Sequence, residues 1–251
     1  MKISIITVSY NAQDTIEETI ISVINQNFTE LEYIVIDGAS TDNTVKIIKK
    51  YLDKIFYFVS EPDKGMYDAI NKGIEISTGE VIGILNSDDI FSNNNIVSQI
   101  ENAFLNKNID AIFADISFVK NNFIIRKLSS YKWNPRYFEF GIMPAHPTFY
   151  CKRNLFKQYG NYKIDFAIAA DFELMLRFIY INRIRFLYLP LNMVNMKLGG
   201  KSTRGFKSLY VINKEIYKSF ILNGVKTNYL KIYLKYFLKI FEFKFFSKKI
   251  S

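Results

Sequence analysis

Gly83-Ile84-Leu85-Asn86-Ser87-Asp88-Asp89 is an apolar run that ends in two adjacent carboxylates, and how it is read decides the fold. A short apolar run of this kind is a buried strand, and the last residues of a parallel strand open onto the crevice where ligands bind. Acids at that point are placed for chemistry. Two unpaired carboxylates side by side repel, and a hard divalent cation with phosphate oxygens would remove that cost. Successive side chains of an extended chain point to opposite sides, so Asp88 and Asp89 are expected to do different jobs.

The chain leading to this stretch alternates strand and helix. Residues 2–8 form a continuous apolar strand, and Asp14 with Glu17 three positions on opens a helix to about Gln26. A second strand runs from Glu32 to Asp37, Ser40-Thr41-Asp42 caps a helix through about Tyr51, and Lys54 to Ser60 is a third strand. A helix over Met66–Ile76 then leads to the strand Glu80–Leu85. This spacing predicts an α/β fold with a mostly parallel, doubly wound sheet flanked by helices.

Beyond Asp89 the rhythm loosens, with a helix over 94–105, a strand over 110–115 and a hairpin around Asn121-Asn122. Pro135, Pro144 and Pro147 mark irregular backbone, and Ala169 to Ile181 has the spacing of a largely buried helix. From Asn228 onward Lys231, Lys235, Lys239 and Glu242 lie at intervals of four, four and three on an aromatic and aliphatic segment. That pattern predicts a basic amphipathic C-terminal helical tail. The repeated lysines rule out a membrane span, so residues 228–249 should lie in a bilayer interface or pack on another surface. The expected organisation is a donor-binding half over 1–115, an acceptor-binding half of the same domain over 116–205, and the tail over 206–251.

The 251 residues carry a net charge of +9, unevenly spread. Residues 1–115 hold 8 Lys and 18 acids, a net −10, which leaves +19 for the remainder. A nucleic-acid binder would spread its basic residues over the reading surface, so nucleic acid is not an expected partner. A membrane surface with anionic lipids suits the basic end better. Met1-Lys2 leads straight into a strand with no secretory pattern, and the lone Cys151 has no internal disulfide partner. Both favour a cytoplasmic protein, with the tail placing it at the inner face of the cell membrane.

Thr7, Tyr10 and Asn11 sit where the first strand turns toward its helix and offer a ring to stack a base and polar groups to hold it. Asp37 ends the second strand and either contacts the nucleotide or is satisfied by the amides of Gly38 to Ser40. Asp63 and Lys64, in the rigid turn Glu61-Pro62-Asp63-Lys64-Gly65, are further nucleotide contacts. Asp68 and Lys72, four apart, are spaced as a surface ion pair. Asp171 opens an apolar helix, where burial would raise its pKa and suit it to proton abstraction, or else it caps the helix. Glu173 is either support or an acceptor contact. His146 is the single histidine, which excludes a two-histidine metal site. Lys201 or Arg204, in a loop after Gly199-Gly200, would face phosphate or else belong to a solvated loop.

Six segments in order resemble the family 2 glycosyltransferases: Ser4-Ile5-Ile6-Thr7-Val8-Ser9-Tyr10-Asn11, Tyr33–Thr44 with Asp37 and Asp42, Glu61–Gly73, Leu85-Asn86-Ser87-Asp88-Asp89, His146-Pro147-Thr148-Phe149-Tyr150 and Ala169–Arg177. Each alone is weakly specific; the ordered set over roughly residues 3–205 is strong. The resemblance implies the GT-A fold and transfer with inversion at the anomeric carbon. It implies a nucleoside diphosphate sugar donor, UDP first among the candidates, and a glycan or lipid-linked acceptor. It assigns Asp89 to a divalent ion, Mg²⁺ or Mn²⁺, Asp88 to the ribose or sugar, Asn71 to the donor side and His146 to the acceptor side, with a structural hydrogen bond in the Pro144–Pro147 turn as the other reading of His146. Where some relatives have a second acid after the first, this chain has Gly38. Two rivals remain: a sugar-phosphate nucleotidyltransferase, whose glycine-rich basic loop is missing after the first strand, and a membrane-docked binding module without turnover.

Overall fold

A computed structural model describes residues 1–106, 108–120, 123–197 and 206–236. The first half follows the predicted alternation: β1 (Ile3–Ser9), α1 (Ile16–Ile24), β2 (Leu31–Asp37), α2 (Thr44–Ile48), β3 (Tyr57–Ser60), α3 (Met66–Ile76) and β4 (Val81–Ile84). β1 pairs in parallel with β2 and β4, and β2 with β3. Ile3 and Ile5 enter one core, with Tyr33, Val35 and Val81, while Ile6 and Val8 enter the other, with Ile34, Ile36 and Ile82. Burial on both faces explains why these strands read as unbroken apolar runs.

The second half adds β5 (Asp89–Phe91), α4 (Ile96–Asn106), β6 (Ala111–Lys120), β7 (Phe123–Leu128), β8 (Tyr150–Lys152), α5 (Asn154–Tyr159), α6 (Ala170–Met175), β9 (Phe186–Lys197) and α7 (Phe206–Leu222). The sheet order is β3-β2-β1-β4-β8-β6-β9-β5, with β7 on β6. Strands β1 to β4, β6 and β9 point one way and β5, β7 and β8 the other, so the sheet is mixed and mostly parallel. Gly83 lies against Tyr150 of β8, whose ring would meet an added Cβ at 1.9 Å. Only a glycine lets that ring in.

Several expectations are corrected here. β4 stops at Ile84, and the paired acids follow a short turn, with Asp89 already starting β5. The helix expected over 169–181 is α6 followed by a π-helical turn, Leu176–Ile181. Asp14 does not cap α1, whose N-cap position is Thr15. The hairpin tip at Asn121-Asn122, the loop with Gly199, Gly200, Lys201, Ser202 and Arg204, and residues 237–251 with Lys239 and Glu242 lie outside the described residues.

Residues from 206 are not merely an appendage. Ile216 and Phe220 of α7 and Ile232 beyond it are fully or almost fully buried in the core that also holds Phe172. Residues 229–236 are helical, and the lysine stripe is split: Lys231 stays exposed where it pairs with Glu139 at 3.2 Å, while Lys235 is buried over the Tyr236 ring. Tyr229, Leu230, Tyr233 and Leu234 are exposed instead. No helix among the described residues is long and apolar enough to cross a membrane.

Candidate active site

The C-terminal ends of the parallel strands carry most of the sequence-predicted residues. Thr7 is buried in β1 and accepts a hydrogen bond from the Tyr33 hydroxyl at 3.2 Å. Tyr10 just beyond is 54% exposed at the sheet edge. Asn11 has a left-handed backbone (φ 48°), and its Oδ1 accepts from the Thr41 amide at 2.8 Å. It therefore staples the loop after β1 to the loop after β2.

Asp37 is fully buried, and its carboxylate accepts four hydrogen bonds, from the hydroxyls of Ser9, Ser40 and Ser60 and the amide of Ser40. Of the two roles left open for it, the geometry matches the satisfied turn carboxylate. Asp63 accepts from the Gly65 amide at 2.7 Å and lies against Gly38, where an added Cβ would come within 2.4 Å of Asp63 Oδ2. Gly38 thus makes room for Asp63. Gly65 itself has φ 114°, a backbone that side chains disfavour. Lys64 is exposed and gives its amide to Asp68 Oδ2 at 3.0 Å. The expected Asp68–Lys72 pair is not formed, because Asp68 accepts the Lys64 amide ahead of α3 and Lys72 pairs with Glu61 at 2.7 Å.

Asp89 is 1% exposed. Its amide donates to the Asn86 carbonyl, its own carbonyl accepts from the Thr19 hydroxyl of α1 at 2.9 Å, and its Oδ2 accepts from Asn86 Nδ2 at 3.2 Å. Burial, and then the charge of Asp88, push its carboxyl up to about 8, while the Asn86 hydrogen bond opposes the rise. Asp88 is also raised, chiefly by burial, with the positive charge of Lys197 opposing it. Lys197 ends β9 and pairs with Glu18 of α1 at 2.7 Å.

The donor set at this point fits a hard divalent cation. Among the described residues, Asn86 Oδ1 is buried with no hydrogen-bond partner, beside a buried carboxylate that a single side-chain donor supports. An orphaned oxygen next to an unneutralised acid is what oxygen ligation would satisfy. Among the described residues, no group of three or more His, Cys, Asp or Glu side chains could hold a metal alone, so substrate oxygens would have to complete the coordination.

A second cluster surrounds Asp171, second residue of α6. Asp171 keeps some contact with solvent yet is deeply enclosed by protein, and that desolvation pushes its carboxyl up to about 7. The Phe172 amide donates to it at 2.7 Å and opposes the rise; the charge of Glu215 adds to it. Tyr67 of α3 donates its hydroxyl to the Ile168 carbonyl, and its ring stacks on Tyr162 with centroids 5.8 Å apart. His146 Nε2 lies 2.7 Å from the Tyr162 hydroxyl, and burial lowers its pKa to about 4, so the ring is neutral at neutral pH. Asn71 spends its amide on the backbone of Tyr162, donating to its carbonyl at 2.9 Å and accepting from its N–H at 3.0 Å.

The sequence thus named His146, Asn71 and Asp171, but not the two tyrosines that join them. Glu173 is open, from the sequence, between support and an acceptor contact. It is 1% exposed, grips Arg177 through both oxygens at 2.9 and 2.8 Å, and accepts from Asn223. Of its two readings, support is the one its surroundings match.

The topology and the carboxylate-bearing strand ends are those of an α/β transferase of the GT-A type. The chain belongs to glycosyl transferase family 2, whose family model matches residues 4–168, and it is a glycosyltransferase. It is 33% identical over 191 residues to the uncharacterized glycosyltransferase Rv1514c of Mycobacterium tuberculosis, covering 70% of this chain and 68% of that one. It is 35% identical over 126 residues to the Escherichia coli UDP-Glc:alpha-D-GlcNAc-diphosphoundecaprenol beta-1,3-glucosyltransferase WfgD, covering 50% of this chain and 49% of WfgD. Its fold matches that of S. aureus TarS 1-349 in complex with UDP-GlcNAc, with TM-score 0.70 and 21% identity over 88% of this chain and 67% of that one. It also matches the mannosyltransferase PcManGT from Pyrobaculum calidifontis in complex with GDP-Man and Mn2+, with TM-score 0.64 and 19% identity over 88% of this chain and 63% of that one.

Proposed function

We propose that the protein is an inverting, nucleotide-sugar-dependent glycosyltransferase that moves one hexose-type unit from a nucleoside diphosphate sugar to a hydroxyl of a glycan or its lipid-linked precursor. The observation that carries this is a pair of sheet-edge acids, one buried and unneutralised beside an orphaned amide oxygen, together with a third, desolvated acid at about 7 on a different element. Asp171 takes the proton of the acceptor hydroxyl as its oxygen attacks the anomeric carbon, and the bond from that carbon to the diphosphate oxygen breaks on the opposite face. A base with a pKa near 7 is matched to that task at neutral pH. Asp89, with Asp88 and Asn86 Oδ1 beside it, would hold Mg²⁺ or Mn²⁺; when bound, the ion would neutralise charge on the departing diphosphate.

The Tyr10 ring serves as the base-stacking surface, with Asp63 and Lys64 as neighbouring donor contacts and Asp88 toward the ribose or sugar. Thr7, Asn11, Asp37 and Asn71 act on the donor side by holding the strand ends and loops in place. His146, through Tyr162, shapes the acceptor side. UDP is the preferred donor nucleotide, in keeping with the donor in the name of WfgD and the ligand in the TarS complex; the PcManGT complex supports a divalent cation.

The experiment is a thermal-shift screen of UDP-, GDP- and dTDP-sugars with and without Mn²⁺, followed by a transfer assay with the stabilising donor. Asp171→Asn should abolish transfer and leave the donor-induced shift intact, whereas Asp89→Asn should weaken the shift and its Mn²⁺ dependence together. Near-normal turnover by Asp171→Asn would remove that residue from the base role.

The acceptor side includes a membrane surface. The helix over 229–236 turns Tyr229, Leu230, Tyr233 and Leu234 outward, and residues 237–251 continue with five Phe and four Lys. Aromatic and basic residues together suit the interface of an anionic bilayer, where a lipid-linked acceptor would be presented from the cytoplasmic side. Truncation before Asn228 should release the protein from anionic vesicles; unchanged binding would exclude this role for the tail.

A further inference from the structure

The loop that delivers Asp171 is held from outside its own segment. Ala169 occupies the N-cap position of α6 and has no side chain that could cap it. Glu215, on α7, supplies a carboxylate to the three consecutive amides that precede the helix: Oε1 accepts from Ala167 at 2.6 Å, and Oε2 accepts from Ile168 at 2.9 Å and Ala169 at 2.8 Å. One turn along α7, Lys218 donates to Asp165 Oδ2 at 2.5 Å and to its carbonyl at 3.0 Å. Residues 165–169 are therefore fastened along their length to α7, and Asp171 follows two residues later.

We propose that Glu215 is a positioning residue for the transfer reaction, fixing where the Asp171 carboxylate points by holding the backbone of residues 167–169. This rests on the assignment of Asp171 as the base. Three hydrogen bonds from one charged group to successive amides define the loop's path far more tightly than a single cap, because charge-assisted bonds are short and strong. Tyr67 acts on the same loop from α3 through the Ile168 carbonyl, so the backbone of Ile168 is held at both ends, its N–H by Glu215 and its carbonyl by Tyr67. The titratable and charged groups that face Asp171 are Tyr67 from α3, Tyr162 from the loop before α6, and Glu215 from α7. Glu215 alone brings a negative charge, and that charge raises the Asp171 carboxyl.

The test compares Glu215→Ala, Glu215→Gln and Asp171→Asn with the unaltered full chain, measuring kcat, donor KM, the pH dependence of kcat and the melting temperature. Glu215→Ala should lower kcat roughly ten- to a hundredfold, the cost of a small misplacement of a reacting group, with donor KM changed less than about twofold. Glu215→Gln keeps one acceptor oxygen and removes the charge. Its acid limb should move to lower pH, because the negative charge that raises the Asp171 carboxyl is gone.

If Glu215→Ala does not fold, Glu215→Gln decides the matter through kcat against donor KM at a temperature where it is folded, since a contact serving stability alone would lower the melting temperature and leave kcat in place. An unmoved acid limb with unaltered kcat in Glu215→Gln overturns the inference. If Asp171→Asn remains active, the base assignment fails instead. If Asp171→Asn is inactive and Glu215→Gln matches the unaltered enzyme, only the role of Glu215 falls.

Discussion

Glu173→Gln separates a structural acid from an acceptor-binding one. Arg177 uses all five of its N–H groups: two on the Glu173 carboxylate and three on the carbonyls of Tyr159, Gly160 and Asn161. The pair is nearly fully buried, with side-chain exposures of 10% and 1%. Replacing Glu173 by Gln removes the counter-charge, turns one acceptor into a donor facing the guanidinium, and loosens the contact with Asn223 of the segment after α7. Breaking one side of a buried ion pair costs about 3–5 kcal/mol, because the remaining charge is left uncompensated. Taking the lower figure, and a shift of about 2–4 °C per kcal/mol for a chain of this size, the melting temperature should fall by roughly 6–12 °C. Differential scanning calorimetry gives that number, and steady-state assays at a temperature where both proteins are folded give acceptor KM, which should not change. A variant that melts within about 2 °C of the unaltered protein but binds acceptor weakly would show that Glu173 faces substrate and that the account of Arg177 is mistaken.

The buried acids fix the pH response. Asp89 at about 8 and Asp171 at about 7 lie above the value for a free carboxyl, so the folded protein holds protons that the unfolded chain has released. Without donor or divalent cation, the stability these two acids contribute therefore declines as pH rises toward 8, opposed below about 6.5 by His146, which burial keeps neutral down to about 4. Urea titrations in EDTA at pH 5.5 and 8.0 check this, with Asp89→Asn losing less stability over the interval; a flat profile in the unaltered protein would contradict it. Transfer should run the other way, because Asp171 must be ionised to accept a proton: kcat rises through pH 7 and levels off above it. Gly38→Ala should push the Asp63 carboxylate off the Gly65 amide and weaken donor affinity in calorimetric titrations while leaving kcat at saturating donor unchanged.

The first half of the fold is legible because β1, β2 and β4 are buried on both faces and their apolar runs need no partner to be recognised. β8 is three residues long, and β9 is interrupted by Pro190, Asn192 and Asn195, so neither carries a pattern of its own. Their places depend on Gly83 admitting Tyr150 and on the register of β6. In the site, Asp88, Asp89 and Asp171 stand out because an acid follows an apolar strand or opens an apolar helix. Tyr67 and Tyr162 do not stand out, since a tyrosine in a core looks the same whether or not its hydroxyl is spoken for. Glu215 had no local signal at all, because its three partners lie 46 to 48 residues away.

The lysines of the C-terminal helix show why spacing does not decide orientation. Intervals of four place Lys231 and Lys235 on one face, as read from the sequence, and hydropathy alone would turn that face to water. Lys231 stays exposed at the surface where it pairs with Glu139, whereas the long stem of Lys235 is buried and covers apolar surface beside Gly141, whose added Cβ would lie 3.5 Å from its Nζ. Ile232, between them, enters the core. The helix is thus fixed by one buried aliphatic and two lysines, and its aromatic face is left outward next to Tyr210 and Lys214 of α7, where Tyr210, Lys214, Tyr229 and Tyr233 line a cavity of about 330 Å³. Lys214 stands immediately before Glu215 on α7, so the helix that borders this outward surface is also the one that holds the Asp171 loop.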